Sequence, residues 1–323
     1  NVTSTDGLNL NGGAGSVTIK LSGDAPAGSG TAHIVQYAGA IGGAEFAGFS
    51  TNLDTSAMIG LGGRSILTLT NNPNYVDLAF NVDYPIWKGE GDGNWIASLV
   101  PSSNWRLASN SSDTYFTTND APLFDDTATG TTTVNIAAAD VVPSSVIFNN
   151  SNANYAVRGS YGIGGDGPVI MRGTGLVTMA ATNKFSGQMT IESGTLAVDT
   201  VNNAGQDGPL GNSLLSVILG KVGGSTGTLE YSGITAASTK PFTPATGGTG
   251  VLRVNNTNTT LILSNSVAGG GFTKTGPGRL AGMIAGGGGA ALGGGPPAFA
   301  MPRARLADCA RRRARVEYAR DGG

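Results

Sequence analysis

The chain of 323 residues holds one cysteine, Cys309, and one histidine, His33. A single cysteine excludes an intramolecular disulfide and a cysteine zinc cluster. A single histidine, with no acid or nucleophile patterned near it, leaves a Ser/His/Asp triad without support. His33 lies in a strand beside apolar neighbours, and with no partner group accompanying it in the sequence it reads as a satisfied strand histidine, not as a catalytic base. Charge is scarce too, at 12% of residues, and no apolar run approaches the ~20 residues that a membrane-crossing helix needs. The first residue is Asn1, with neither an initiator Met nor a charged and apolar leader, so the sequence reads as entering mid-protein.

Glycine fills the space that charge leaves, at 53 residues. In a helix interior each glycine is about 1 kcal/mol worse than alanine, so long helices are not expected across residues 1–280. Asn, Ser and Thr supply most of the remainder, yet Val, Leu and Ile recur at regular intervals, which separates the chain from a flexible linker. Short strands joined by tight turns are what this combination predicts. Residues 303–323 carry seven arginines against Asp308, Glu317 and Asp321, a local charge of +4, and the rest of the chain stands at −6. An acidic body with scattered lysines has no electrostatic footprint for nucleic acid, and no such partner is expected.

The stretch from Val169 to Val198 shows the pattern best. Its alternating runs, Leu176 to Met179, Met189 to Ile191 and Thr195 to Val198, are separated by Gly173, Gly175, Asn183, Gly187 and Gly194. A partial second copy, Phe272 to Leu280, lies over Val169 to Val177, with Gly276 and Gly278 matching Gly173 and Gly175. Similar runs fill residues 130–265, and three Gly-x-Leu starts at Gly194, Gly227 and Gly250 are spaced by 33 and 23 residues. Each run is too short to bury its own apolar face, so stacking on the next coil is what would satisfy backbone and core together.

These residues resemble a known family. The run from Gly173 to Val198, with Phe272 to Leu280, is similar to the autotransporter-associated β-strand repeat, a passenger-domain repeat of large bacterial exported proteins. The stretch containing Trp87, Trp95 and Trp105, followed by Phe124-Asp125-Asp126-Thr127 and Thr131 to Ile136, resembles the segment that opens such a module. Residues 15–84 resemble the segment that closes the preceding one. The resemblance covers roughly residues 15–280 and implies a right-handed parallel β-helix outside the cell or on its surface. It carries no catalytic, metal or cofactor residues to transfer, and none is expected.

Taken in order, residues 1–84 form a smaller β-rich segment, either a small sandwich or the last coils of a solenoid. Two period-2 runs around Asn71-Asn72-Pro73-Asn74 predict a hairpin there. Residues 85–280 comprise the Trp-containing opening segment and the solenoid repeats. Regularly spaced Trp87, Trp95 and Trp105 are expected to cover an open end of the β-core, although exposed aromatic faces could instead stack on sugar rings. Asp113, Asp120, Asp125 and Asp126 are the nearest thing to a site. Paired carboxylates can cleave glycosides or hold Ca²⁺, but turn and cap duty is the default for Asp beside Asn and Thr. Asp125 and Asp126, adjacent on a strand, would point to opposite faces. The loop Gly162 to Gly167 is neither followed by a helical period nor repeated, so a plain turn is expected there.

At Ala281 the composition changes. Residues 281–323 lack Ser, Thr, Asn, Gln and Lys, and Ala, Gly, Pro and Arg make up 31 of the 43. This tail is expected to be irregular or helical, either a shifted reading frame or a basic helix over Pro302 to Arg320. The whole reads as an all-β, non-catalytic surface passenger module, a stalk or adhesin-like piece of a larger protein. Its expected partners are neighbouring repeats of that longer chain and surface glycans or other cell-surface components. A carbohydrate-binding or polysaccharide-degrading β-helix is the alternative, and it requires the acids to converge near an exposed Trp.

Overall fold

A computed structural model describes residues 8–49, 53–268, 272–285 and 291–292. Among these the regular elements are strands, apart from one 3₁₀ turn at Glu45–Gly48. Two long sheets carry the body. One stacks Leu123–Asp125, Val146–Asn149, Val169–Met171, Met189–Ile191, Val217–Leu219, Phe242–Pro244 and Thr260–Ala268 as parallel neighbours. The other stacks Thr133–Asn135, Tyr155–Arg158, Leu176–Met179, Gly194–Val198, Thr226–Tyr231, Thr249–Val254, Phe272–Thr275 and Ala291–Leu292. The chain passes between the sheets, so one coil contributes a strand to each. This is the parallel β-solenoid implied by the resemblance.

Register explains why such short strands suffice. Gly194, Gly227 and Gly250 lie on one column, and Leu196, Leu229 and Leu252 on another. Both spacings of the Gly-x-Leu starts therefore land on the same rung, because the extra residues leave the sheets as loops. Side chains alternate across a strand, so Val177, Leu196 and Leu229 face the interior and are at most 1% exposed. A one-residue slip would turn the whole column outward. Glycine is required where corners touch the coil below. A Cβ on Gly173 would run into the carbonyl of Asn150, and one on Gly276, at φ +78°, into the carbonyl of Val254.

Those two corners also correct the repeat read from sequence. Val169–Met171 lies in the first sheet, whereas Phe272–Thr275, the strand aligned with it, lies in the second. The cause is an insertion: Ala236–Ser238 adds a strand to the first sheet just before Phe242–Pro244 does the same, and the alternation shifts by half a coil.

The N-terminal region combines two architectures. Asn9–Leu10 pairs with Gly42–Gly43 and Lys20–Asp24 with Asp54–Ile59, all parallel, as consecutive coils do. Gly28–Gln36, Tyr75–Val82 and Ile66–Asn72 form an antiparallel three-stranded sheet with Tyr75–Val82 in the middle. The hairpin predicted around Asn71 to Asn74 is its second connection, with Asn74 at φ 69°. This region rests on the outer face of the first sheet, where a half-open cavity of about 180 Å³ is lined by Ile59, Gly60, Leu123, Ile147 and Arg172. The cover explains an outward column that is apolar there (Leu123, Ile147, Ile170) but becomes Thr190, Ile218 and Thr243 farther along.

Past the change in composition, the strand Arg279–Ala285 still pairs with Thr260–Ala268, and Ala291–Leu292 with Phe272–Thr275. The tail's first residues are therefore extended, not helical. The basic helix over Pro302 to Arg320, the alternative to a shifted reading frame, lies outside the described residues, and Cys309 with it.

Candidate functional site

The tryptophan segment closes one end of the solenoid. Pro85–Trp87 pairs with Leu123–Asp125 in parallel but with Ser102–Leu107 antiparallel, and Asp113–Thr114 finishes the sheet with a register shift. The parallel ladder is thereby converted into a hairpin, with Trp87 directly opposite Trp105. All three tryptophans are at most 1% exposed. Trp87 and Trp105 meet edge to face at 4.8 Å, and Trp95 packs on Phe116 at 5.3 Å in the same manner. Phe124 stacks on Phe148 at 4.8 Å and carries the aromatic cluster into the first coils. Such pairs favour offset or edge geometry because of the ring quadrupole. The Trp87 indole donates to the carbonyl of Thr131 at 2.8 Å. Buried rings offer no platform for a sugar, and the expectation that they cover the core end is met.

The four acids are each engaged separately. Asp113 accepts from Lys88 at 3.1 Å, and the ammonium of Lys88 also meets Glu90 at 2.8 Å. These carboxylates, Glu90 first, hold the Lys88 pKa above its ordinary value. Asp120, 1% exposed, receives Arg64 in a fork at 2.8 and 2.9 Å and the backbone N–H of Thr117 at 2.8 Å. Asp125 accepts from the N–H and hydroxyl of Thr127, closing a turn. Asp126 accepts the backbone N–H groups of Ala153, Asn152 and Ser151 from the next coil, and these hold its pKa below the ordinary carboxylate value. Turn and coil-bridging duty thus accounts for Asp125 and Asp126, whose carboxylates do turn to different partners.

Arg64 is the residue that sequence reading missed. It reaches from the N-terminal region to Asp120, to the Thr114 hydroxyl at 3.0 Å and to the Tyr115 carbonyl at 2.6 Å, with its guanidinium 4.7 Å from the Tyr115 ring centre. Nearby, Gly63 donates to the carbonyl of Asn119 at 2.7 Å, and the Ser144 hydroxyl to that of Leu61 at 3.0 Å. A charge-assisted fork of this kind fixes orientation as well as distance. Arg172 makes a second bridge, to Asp24.

His33 is the satisfied strand histidine expected, with a partner that the sequence did not show. Its Nδ1 lies 2.6 Å from Asp77 Oδ1 and its ring stacks on Tyr75 at 4.1 Å, so it has an acidic partner after all. The pairing runs across neighbouring strands, 44 residues apart in the chain. The imidazole, with Asn72 after it, lowers the Asp77 pKa. The loop Gly162 to Gly167 is a turn of the solenoid: Ile163 bridges to Val141 and donates to the side chain of Asn183 at 3.0 Å.

Buried amides form a further set that the sequence did not reveal. Asn104, Asn150, Asn183 and Asn202 are each at most 8% exposed, and all four bond to backbone at coil corners. Lys240, 1% exposed, donates to the carbonyls of Gly211 and Ser213 at 2.7 and 2.8 Å, and burial pushes its pKa down to about 8. Among the described residues no group of three His, Cys, Asp or Glu is placed to hold a metal, and no helix is long and apolar enough to cross a membrane.

Over 156 residues the chain is 35% identical to the adhesin BmaC, an autotransporter of Brucella suis biovar 1. The matched stretch is 47% of this chain but 4% of that protein's length. No family model matches the chain, and no solved structure does. The resemblance to autotransporter passenger repeats, read first from short glycine-punctuated runs, is thus met both by a parallel β-solenoid and by a relative that is itself an autotransporter adhesin.

Proposed function

We propose that this chain is a non-catalytic structural module of a larger exported bacterial protein, a length of stalk displayed at the cell surface and able to take part in adhesion. The observation that carries this reading is the register-locked ladder. Side chains inside it go to packing, and the four candidate acids go to turns, to neighbouring coils or to ion pairs. Each coil adds ~4.8 Å along the axis, so reach grows by repetition. Loops that leave the sheets are free to vary and to make contacts.

Two measurements test the proposal together. The chain, fused to an outer-membrane translocator and expressed on a non-adherent bacterium, is expected to raise attachment to host cells or matrix. The purified chain is expected to release no reducing sugar from polysaccharides. Sugar release abolished by Asp113→Asn, Asp125→Asn or Asp126→Asn would reverse the assignment to an enzyme. Surface display with no gain in attachment would leave the stalk and remove the adhesive part.

A further inference from the structure

We infer that the cavity at the seam between the N-terminal region and the first sheet is a binding site for one neutral sugar ring, the terminal unit of a surface glycan. The inference deepens the adhesive part of the proposed function, on which its biological meaning rests. The cavity is half-open and measures about 180 Å³, with Ile59 on the N-terminal side and Leu123 and Ile147 on the sheet side. Tyr84, Asn149 and the ion pair of Asp24 with Arg172 complete the lining that matters here.

Two polar groups of this lining are spare. Asn149 stands two residues after Ile147 on the outward face of the first sheet, exposed, and its amide has no hydrogen-bond partner among the described residues. The Tyr84 hydroxyl has none either. Burial, and then the charges of Asp125 and Asp83, hold the Tyr84 pKa above its ordinary value, so the hydroxyl stays protonated and both donates and accepts. Elsewhere along the same seam polar side chains are spent on pairing across it, Arg64 with Asp120 and Ser144 with the carbonyl of Leu61. A few polar groups set against an apolar wall are what orients a small ligand. A pyranose ring matches both parts, with C–H groups for the three aliphatic side chains and hydroxyls for Asn149 and Tyr84.

Charge selects the kind of sugar. Arg172 is the one cation in the lining, and it is already held by Asp24, with Glu192 3.7 Å from its Nε. Asp125 and Asp83 oppose the ionisation of Tyr84, with Arg106 acting the other way. No spare positive charge remains for a carboxylate or a sulfate, which excludes sialylated and sulfated ends. Asp24 and Arg172 cancel, which leaves little to attract a cation. Size sets the remaining limit: sites that enclose a whole drug-sized ligand measure ~300–1,000 Å³. A smaller cavity, open on one side, takes a single ring and leaves the rest of the glycan in solvent.

A glycan array and an NMR titration of the purified chain test the site. Chain displayed in many copies on beads is expected to be retained by glycans that end in a neutral hexose or N-acetylhexosamine, and not by the same glycans capped with sialic acid. At least one of methyl glucoside, methyl galactoside and N-acetylglucosamine is expected to bind with a Kd of about a millimolar, as ligands of this size allow, and to shift the amides of residues 59, 60, 84 and 147–149. Asn149→Ala, at an exposed position with no partner to lose, is expected to weaken binding about fivefold or more at an unchanged Tm. Ile147→Trp, which fills the cavity, is expected to abolish it. Absence of retention by every neutral glycan, a preference for sialylated or cationic ligands, or binding that Asn149→Ala leaves unchanged would overturn the proposal. Host-cell attachment that survives Asn149→Ala undiminished would keep the adhesive reading and count against this site. Glycan binding without attachment would do the reverse.

Discussion

The capped end and the shaft bury their interiors by different means. Between Trp87 and Tyr155 the core is dominated by aromatic rings: Trp87, Trp95, Trp105, Phe116, Phe124, Phe148 and Tyr155 are all at most 1% exposed, with Val134, Ile136, Val141 and Val146 buried beside them. Farther along it is largely aliphatic, with Val177, Met179, Ile191, Leu196, Leu219 and Leu229 on repeating rungs. A coil inside the shaft has a neighbour on each side and needs only small side chains in register. The last coil has a neighbour on one side, so bulky rings and an antiparallel hairpin take the place of the missing rung. Repetition stabilises the shaft, and side-chain volume stabilises its end.

Several changes would break or sharpen that contrast. Trp105→Ala removes the ring that touches Trp87, Trp95, Phe116 and Phe124, and should destabilise the protein by about 4 kcal/mol in denaturant titration. If volume is what closes this end, Trp105→Phe should recover a good part of that loss. Arg64→Ala leaves Asp120 buried without its cation and should cost about 3 kcal/mol. Hydrogen exchange should show the loss at residues 60–65 and 113–121 while the strands after Val169 keep their protection. Equal loss along the shaft would mean that the capped end and the shaft are not separable.

Lys240 tests the shaft's inserted corner by pH. Its folded pKa, pushed down to about 8 by burial, lies below the ordinary 10.5. Below about 8 both states carry the charge and the folded state bears the full burial penalty. As pH rises from about 8 to 10.5 the native state releases its proton first, so stability rises. Lys240→Met should remove that rise when wild-type and variant denaturation midpoints are compared across the interval. The smallest effect is expected at the exposed cross-rung pair Glu230–Arg253, 3.0 Å apart. Arg253→Ala should change stability by less than about 1 kcal/mol and should lose even that at high salt.

Much of the shaft was legible because its information is local. Period-2 runs such as Tyr155–Arg158 and Leu176–Met179 coincide with strands, and the spacing of Gly194, Gly227 and Gly250 places them on one rung. The burial of the tryptophans followed from their size and number. Contacts between distant parts were not legible. Nothing around Arg64 announces Asp120, 56 residues on, nor does a strand histidine announce Asp77. The half-coil shift was hidden because Ala236–Ser238 is a weak strand signal inside a polar loop. Asn183 and Asn202 look like ordinary turn residues until the coil stacked on them removes their water.

One rung holds Gly194, Gly227 and Gly250 although the intervening lengths differ by ten residues. Insertion and deletion are therefore tolerated wherever the polypeptide bulges away from the ladder. The outward surface of such a coil can thus be remodelled repeatedly over an unaltered interior.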